Sequence, residues 1–150
     1  MKDMVRNING KSIGRNKRKG SALVEFALGS TILIPLLFGT ADFGRLFYAS
    51  IEVANAAAAG ASYVARTSAN MTDTSGISSA AKNDAADFSS LQVSSSEVCQ
   101  DNSGNVVSCS TWGAYKYVKV TATYTFQTLF SYPAIPSSVA LSKSVMMRGV

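Results

Sequence analysis

The sequence predicts an α+β protein: one long N-terminal helix, apolar and then amphipathic, packed on a small antiparallel β-sheet domain. Three observations lead to this prediction. An apolar run lies near the N-terminus, a helical pattern follows it directly, and apolar and polar residues alternate in the C-terminal third. A chain of 150 residues is long enough for one small domain besides the apolar run.

The basic residues of this chain are concentrated at its N-terminus. Residues 1–20 hold seven Lys or Arg and a single Asp, whereas the remaining residues hold seven basic and eight acidic side chains. Nucleic-acid-binding domains carry their basic residues across a folded face. The uneven distribution therefore argues against a nucleic-acid partner, although the pI is near 9.4.

The apolar run, SALVEFALGSTILIPLLFGTA, covers residues 21–41 and contains one charged residue, Glu25. About 20 helical residues cross a hydrocarbon core of about 30 Å. A buried core helix is the alternative, but the basic flank and the lack of a polar face favour a transmembrane helix in a lipid bilayer. The basic flank should stay cytoplasmic, which places the C-terminal part outside. A cleaved secretory signal fits less well, because its apolar region is shorter, about 7–15 residues.

Glu25 allows two interpretations. An ionised side chain is tolerated better near the end of a membrane helix than at its centre, so Glu25 could contact headgroups or Lys19. Alternatively, cleavage between Gly20 and Ser21 would create an ammonium group at Ser21, about one helical turn from Glu25. In an assembly, Glu25 of one subunit could then pair with the Ser21 amine of its neighbour and set their axial register.

The residues around this position resemble a known signal. KG followed by SALVEF and an apolar run resembles the prepilin-type signal, and PLLFGTADFGRLFYASIEVANAAAAGASYVAR resembles TadE/TadG-like minor pilins (pseudopilins) of the tight-adherence (Flp) type IV pilus. The resemblance is strong over residues 17–66 and moderate over residues 115–148, where VKVTATYTF and LSKSVMMR are similar to the closing strands of that family.

The resemblance implies that residues 1–20 are a basic leader removed after Gly20, that Ser21 is the mature N-terminus, and that Glu25 is the assembly carboxylate. It also implies three partners: prepilin peptidase, other pilin subunits and the Tad-type inner-membrane machinery. The implied location is the bacterial inner membrane or the pilus, with a periplasmic or extracellular C-terminal domain. One departure is that Ser21 stands where many type IV pilins begin with Phe.

The helix is expected to continue through residues 42–66, because apolar residues recur there at spacings of three or four. This predicted apolar face consists of Phe43, Leu46, Phe47, Ile51, Ala54, Ala58 and Ala61, with Arg45, Glu52, Asn55 and Ser62 on the other side. It could pack against its own domain or against neighbouring subunits, and both interpretations stay open because each could hold at a different height of the helix. Pro35 should kink the helix.

Residues 67–150 are expected to form an extracytoplasmic α+β domain. The polar composition of residues 67–98 indicates a loop, with a short helix over residues 79–88. Cys99 and Cys109 flank a turn-forming stretch, and in an exported domain they fit a disulfide that clamps a hairpin or loop. A metal site lacks ligands, because the chain has no histidine and only these two cysteines.

Two strands are predicted near the C-terminus. Even positions are apolar and odd positions polar over residues 118–126, which predicts a strand over residues 116–126 with one buried face. Pro133 and Pro136 interrupt the pattern, and a last strand over residues 139–148 can return antiparallel beside the first.

The sequence contains no P-loop, no dinucleotide fingerprint and no G-x-S-x-G nucleophile motif. These absences do not exclude catalysis, because carboxylate pairs or Ser-Lys dyads work without histidine. No such pair stands out in the sequence, and we expect neither an enzyme nor a cofactor. The leading hypothesis is a minor pilin or pseudopilin, and a second is a binding role for residues 67–114 at a filament tip. The third is an uncleaved single-span envelope protein with an exported binding domain.

Overall fold

The computed structural model describes residues 18–130 and 136–149. Most of the predicted leader and Pro133 therefore lie outside the described residues. By its internal contacts the chain divides into two compact units, residues 1–38 and residues 39–150. Each unit is considered separately below.

The described residues form helices first and strands afterwards. These elements are α1 (Arg18–Val64), a 3₁₀ helix (Ser68–Met71), α2 (Thr74–Asp84), β1 (Gln92–Gln100), β2 (Val106–Val107), β3 (Tyr115–Gln127) and β4 (Ser138–Met147). The four strands form one sheet in the order β2-β1-β3-β4, and all neighbouring strands are antiparallel. The predicted α+β class is confirmed.

The first unit is the apolar part of α1. Its large apolar side chains are exposed, including Phe26 at 75% and Ile32 at 73%. The helix continues through Pro35 without interruption. Among the described residues it is the one helix long and apolar enough to cross a membrane, and its most apolar stretch is not buried by the protein at all. An N-terminal helix of this kind fits a single-pass membrane protein.

In the second unit, α1 packs on the sheet through small side chains. They recur every three or four residues and are almost fully buried: Ala49, Val53, Ala56, Ala57, Ala61 and Val64. Gly60 lies in the same face, and a Cβ at this position would be 3.0 Å from Val120 Cγ1 and 3.3 Å from the Ile77 carbonyl oxygen. A helix face without large side chains can approach a sheet and a second helix closely.

Only part of the predicted apolar face of residues 42–66 packs on the domain, since Ala61 is fully buried there. Phe43, Phe47 and Ile51 are 59%, 67% and 58% exposed. The prediction gave most weight to large apolar side chains, whereas the sheet receives the small ones. Packing of the predicted face on its own domain is therefore confirmed at Ala61 and wrong for the three exposed residues, and packing against neighbouring subunits stays a prediction.

The predicted loop over residues 67–98 and the predicted helix over residues 79–88 are partly wrong. The helix α2 begins at Thr74, five residues earlier than predicted, because Asp73 caps it by accepting a hydrogen bond from the Gly76 N–H. The stretch predicted as a loop contains the 3₁₀ helix and the start of α2, and the strand β1 was not predicted. Its Ser-rich centre, residues 94–96, gave no alternating apolar pattern.

The two predicted C-terminal strands are confirmed within one or two residues at each end. On β3, Val118, Val120, Ala122 and Phe126 are buried. The strand β4 pairs antiparallel with β3 along its whole length, from Val118 opposite Met147 to Gln127 opposite Ser138. The predicted alternation therefore identified the core face of the central strand correctly.

Candidate membrane and assembly surface

The residues predicted to be processed lie in the first turns of α1. Gly20, Ser21 and Glu25 are all exposed, and the Ser21 hydroxyl donates a hydrogen bond to Glu25 Oε1 at 3.3 Å. The two side chains are thus close within one helix, as their spacing predicts. Cleavage after Gly20 and pairing of Glu25 with a neighbouring subunit stay predictions.

Beyond the apolar run, Phe43, Phe47 and Ile51 form a line of exposed apolar side chains, here called the exposed stripe. A spacing of four residues keeps these side chains on one side of the helix. Contiguous apolar surface of this kind marks interaction sites more often than scattered single residues do. The exposed stripe is therefore a candidate contact surface for another protein.

A buried carboxylate joins the helix to the end of β3. The Asp42 side chain is 7% exposed, and its two oxygens accept hydrogen bonds from the Leu129 backbone N–H at 3.1 and 3.2 Å. Arg45 Nη1 is 3.2 Å from Asp42 Oδ1, and the Arg45 guanidinium lies 5.3 Å from the centroid of the Phe126 ring. We call these four residues the Asp42 cluster.

An open apolar groove adjoins the Asp42 cluster. It lies between α1 and the neighbouring ends of β3 and β4, and its exposed lining is entirely apolar. The groove is lined by Gly39, Asp42, Phe43, Leu46, Phe126, Thr128 and Val139. Leu129 beside it is 61% exposed. The domain therefore presents uncovered apolar surface close to the residue at which the apolar run ends.

Sequence reasoning missed the Asp42 cluster. A local signal was present, because Asp42 directly follows the apolar run and Arg45 follows three residues later, the spacing of neighbours on a helix. The contact with Leu129 had no sequence signal, since the two residues are 87 positions apart.

A second carboxylate fixes the far end of α1. Tyr63 donates a hydrogen bond from its hydroxyl to Asp73 Oδ2 at 2.7 Å, and the Gly76 N–H donates to Asp73 Oδ1 at 2.9 Å. The Gly76 N–H, followed by the Tyr63 and Ser75 hydroxyls, lowers the pKa of Asp73 to about 2. The hydrogen bond to Asp73 raises the pKa of Tyr63. This polar contact ties α2 to α1.

The structure contains the predicted disulfide between Cys99 and Cys109, whose Cα atoms are 5.1 Å apart. It links the end of β1 to the residues after β2. Glu97 lies near the two sulfurs and pairs with Lys116 at 3.1 Å. Because the sulfurs are bonded to each other, they are not thiolates that could bind a metal ion.

The loop closed by this disulfide contains a turn, and an exposed aromatic side chain follows the loop. Asp101 Oδ1 accepts hydrogen bonds from the Ser103 and Asn105 N–H groups, both at 2.9 Å, and the bonds from Asn105 are the main reason that the pKa of Asp101 is lowered. Trp112 is 99% exposed. Large aromatic residues are usually more buried, so Trp112 is a candidate contact residue.

Fold and surface together define a class: an α+β protein with an N-terminal apolar helix that fits a single membrane span and an antiparallel sheet domain with a disulfide. Residues 20–62 match the family model described as TadE-like protein. The predicted resemblance to the TadE-like family is thus confirmed over this segment, and it points to a protein associated with the tight-adherence (Tad) pilus system. No curated protein and no solved structure matches the chain.

Proposed function

We propose that this chain is a minor pilin or pseudopilin of a tight-adherence (Flp-type) pilus, processed after Gly20 by prepilin peptidase. It acts in pilus assembly, surface attachment or secretion. Its role is structural rather than catalytic, and it needs no cofactor. Its partners are the peptidase, other pilin subunits, the Tad-type inner-membrane machinery and the lipid bilayer.

One observation carries this proposal. The segment that matches the TadE-like family, residues 20–62, also holds apolar side chains that remain exposed, both in the apolar run and in the exposed stripe. Lipid can cover the apolar run. Phe47 and Ile51 lie about 9 and 15 Å beyond Ala41 along the helix at about 1.5 Å per residue, so they extend past the hydrocarbon and suit a neighbouring subunit.

Two independent features support the proposed orientation. The seven basic residues of the leader favour a cytoplasmic N-terminus in the inner membrane. The Cys99–Cys109 disulfide suits an oxidising compartment, which supports a periplasmic or extracellular sheet domain.

The first experiment tests processing. The N-terminal peptide of the membrane-extracted protein is identified by mass spectrometry in cells with and without prepilin peptidase. We expect a start at Ser21 only when the peptidase is present. A Gly20→Leu variant should keep its leader, whereas Gly29→Leu should be cut normally. The two glycines are a matched pair, because a Cβ at either position meets no atom within 4 Å.

A start at Met1 in both strains would contradict the proposal. It would favour the alternative function, an uncleaved single-span envelope protein with an exported binding domain. In that protein the fully exposed Trp112 would be the first residue to test for ligand contact.

The second experiment tests the assembly carboxylate. Glu25→Ala should leave membrane insertion and cleavage unchanged but reduce the amount of pilus, because besides the pair between subunits it removes only the exposed hydrogen bond from the Ser21 hydroxyl. Thr31→Ala is the control, since Thr31 is also exposed on the same helix and bonds only to a backbone carbonyl of its own helix. Wild-type pilus yield from Glu25→Ala would refute the register role.

The third experiment tests the exposed stripe. Phe47→Ser should reduce incorporation into pili without lowering the stability of the domain, because Phe47 is 67% exposed. Trp112→Ser removes a more exposed aromatic side chain, at 99%, from another surface and serves as the comparison. Wild-type incorporation of Phe47→Ser would show that the exposed stripe makes no subunit contact.

A further inference from the structure

We propose that the end of the sheet domain at the Asp42 cluster is a second membrane contact, in which Leu129 and the apolar groove sit in the leaflet on the domain's side of the bilayer. The partner is the boundary between the lipid acyl chains and the headgroups. This inference rests on the membrane span that belongs to the proposed function.

The groove adjoins the end of the apolar run. The groove begins at Gly39, which lies inside the apolar run, and continues to Leu46, about 7 Å beyond the end of that run at about 1.5 Å per residue. The Leu129 N–H is held 3.1 Å from the carboxylate of Asp42, one residue after the run ends. Within the second unit, Leu129 and the groove therefore lie beside Gly39 and Asp42, at the end of the apolar run.

The exposed surface at this end of the domain is apolar. Leu129 and Phe43 expose 61% and 59% of their surface, and the groove between α1 and the sheet has an apolar lining. In water this surface is unfavourable, but amphipathic elements bury such side chains about 5–10 Å into the headgroup and acyl boundary. The surface thus has the polarity of the boundary between acyl chains and headgroups.

Arg45 supplies a positive charge in the Asp42 cluster. The Arg45 side chain is 48% exposed, and one of its nitrogens faces Asp42. A guanidinium has five N–H donors in a fixed plane, which leaves donors to reach a lipid phosphate. Arg45 follows the end of the apolar run by four residues, the position where basic side chains contact headgroups. Apolar surface at Gly39 and a cation at Arg45 reproduce the change in polarity across the interface.

A second subunit is the competing occupant. The groove reaches Gly39 within the expected hydrocarbon depth, where lipid already surrounds the helix. The exposed stripe extends further from the membrane, to Ile51, and offers protein partners a surface that lipid does not reach. We therefore assign the groove to lipid and the upper part of the exposed stripe to subunits.

The test places a tryptophan at residue 129. Trp112, the one tryptophan of the chain, is replaced by Phe, and Leu129→Trp is introduced into the full-length protein. The protein is reconstituted into phosphatidylethanolamine/phosphatidylglycerol vesicles with or without lipids brominated at carbons 6 and 7. We expect strong quenching of the residue-129 fluorophore by brominated lipid and a several-fold weaker quenching by acrylamide than for Trp112 in the wild-type chain.

Leu33→Trp in the same Trp112→Phe background reports the membrane span itself. If residue 33 is quenched by brominated lipid and residue 129 is not, the second contact is overturned while the span stands. If neither residue is quenched, the span and the contact both fail. If residue 129 is shielded from acrylamide but not quenched by brominated lipid, and the shielding disappears on dilution with lipid, a second subunit occupies the groove and the proposal is wrong.

Discussion

Replacing Asp42 by Ala tests the link between α1 and the end of β3. In the native protein both carboxylate oxygens accept from the Leu129 N–H, at 3.1 and 3.2 Å. The side chain is 7% exposed, so water reaches this hydrogen bond poorly. Removing the acceptor should leave the Leu129 N–H without its partner and allow the residues directly after β3 to separate from α1.

The size of the effect follows from the type of bond. A hydrogen bond to a charged group contributes about 1.5–3 kcal/mol, and about 1.4 kcal/mol corresponds to a factor of ten in an equilibrium constant. The Leu129 amide should therefore exchange its hydrogen about 10- to 100-fold faster in Asp42→Ala. The ion pair with Arg45 adds little, since half-exposed pairs contribute about 0–1 kcal/mol.

Hydrogen exchange of the full chain in lipid nanodiscs measures this effect locally. Asp42→Asn is the conservative control, because its amide oxygen can still accept from the Leu129 N–H, and it should show a smaller increase. The amide of Val120, at the centre of β3 and fully buried, should exchange at the wild-type rate in both variants. Unchanged exchange at Leu129 in Asp42→Ala would refute the conclusion that the Asp42 carboxylate links α1 to the residues after β3.

Two further predictions concern the packing of the helices. Gly60→Val should lower the free energy of unfolding by about 1–3 kcal/mol, because its Cβ meets Val120 and the Ile77 carbonyl. Gly44→Val should not lower it, because a Cβ at residue 44 meets nothing within 4 Å. Urea unfolding followed by circular dichroism compares the two variants. The pKa of Asp73 is lowered from 3.8 to about 2, so its contribution to stability is complete above about pH 4 and is lost as the pH falls towards 2. Asp73→Asn keeps a capping side chain but cannot titrate, so the stability difference from wild type should shrink over that interval; a constant difference would contradict this linkage.

Several features could be predicted because the signal is local. The length and polarity of residues 21–41 predicted an apolar helix, and the alternation over residues 118–126 predicted a strand with one buried face. Each depends on how residues a few positions apart are placed by the repeat of one element. The same holds for Ser21 and Glu25, which one helical turn brings together.

Other features depended on partners far away in the chain. The strand β1 is held by β3, with Ser95 opposite Val120, so its own serines did not reveal it. The helix α2 begins where Asp73 accepts the Gly76 N–H, a capping signal that its apolar pattern obscured. In both cases the missing information was a hydrogen-bond partner rather than a propensity.

The sequence by itself determined that this protein has a membrane-length apolar helix, a central alternating strand and a cysteine pair suited to an exported domain, because each is encoded in neighbouring residues. Only the tertiary structure decided which side of α1 faces the sheet and where Asp42 finds its partner. Close packing selected the alanines and Gly60 for the interface, because small side chains let backbones approach, and left Phe47 and Ile51 exposed. Periodicity shows that a helix has an apolar side, but shape complementarity decides which side is buried.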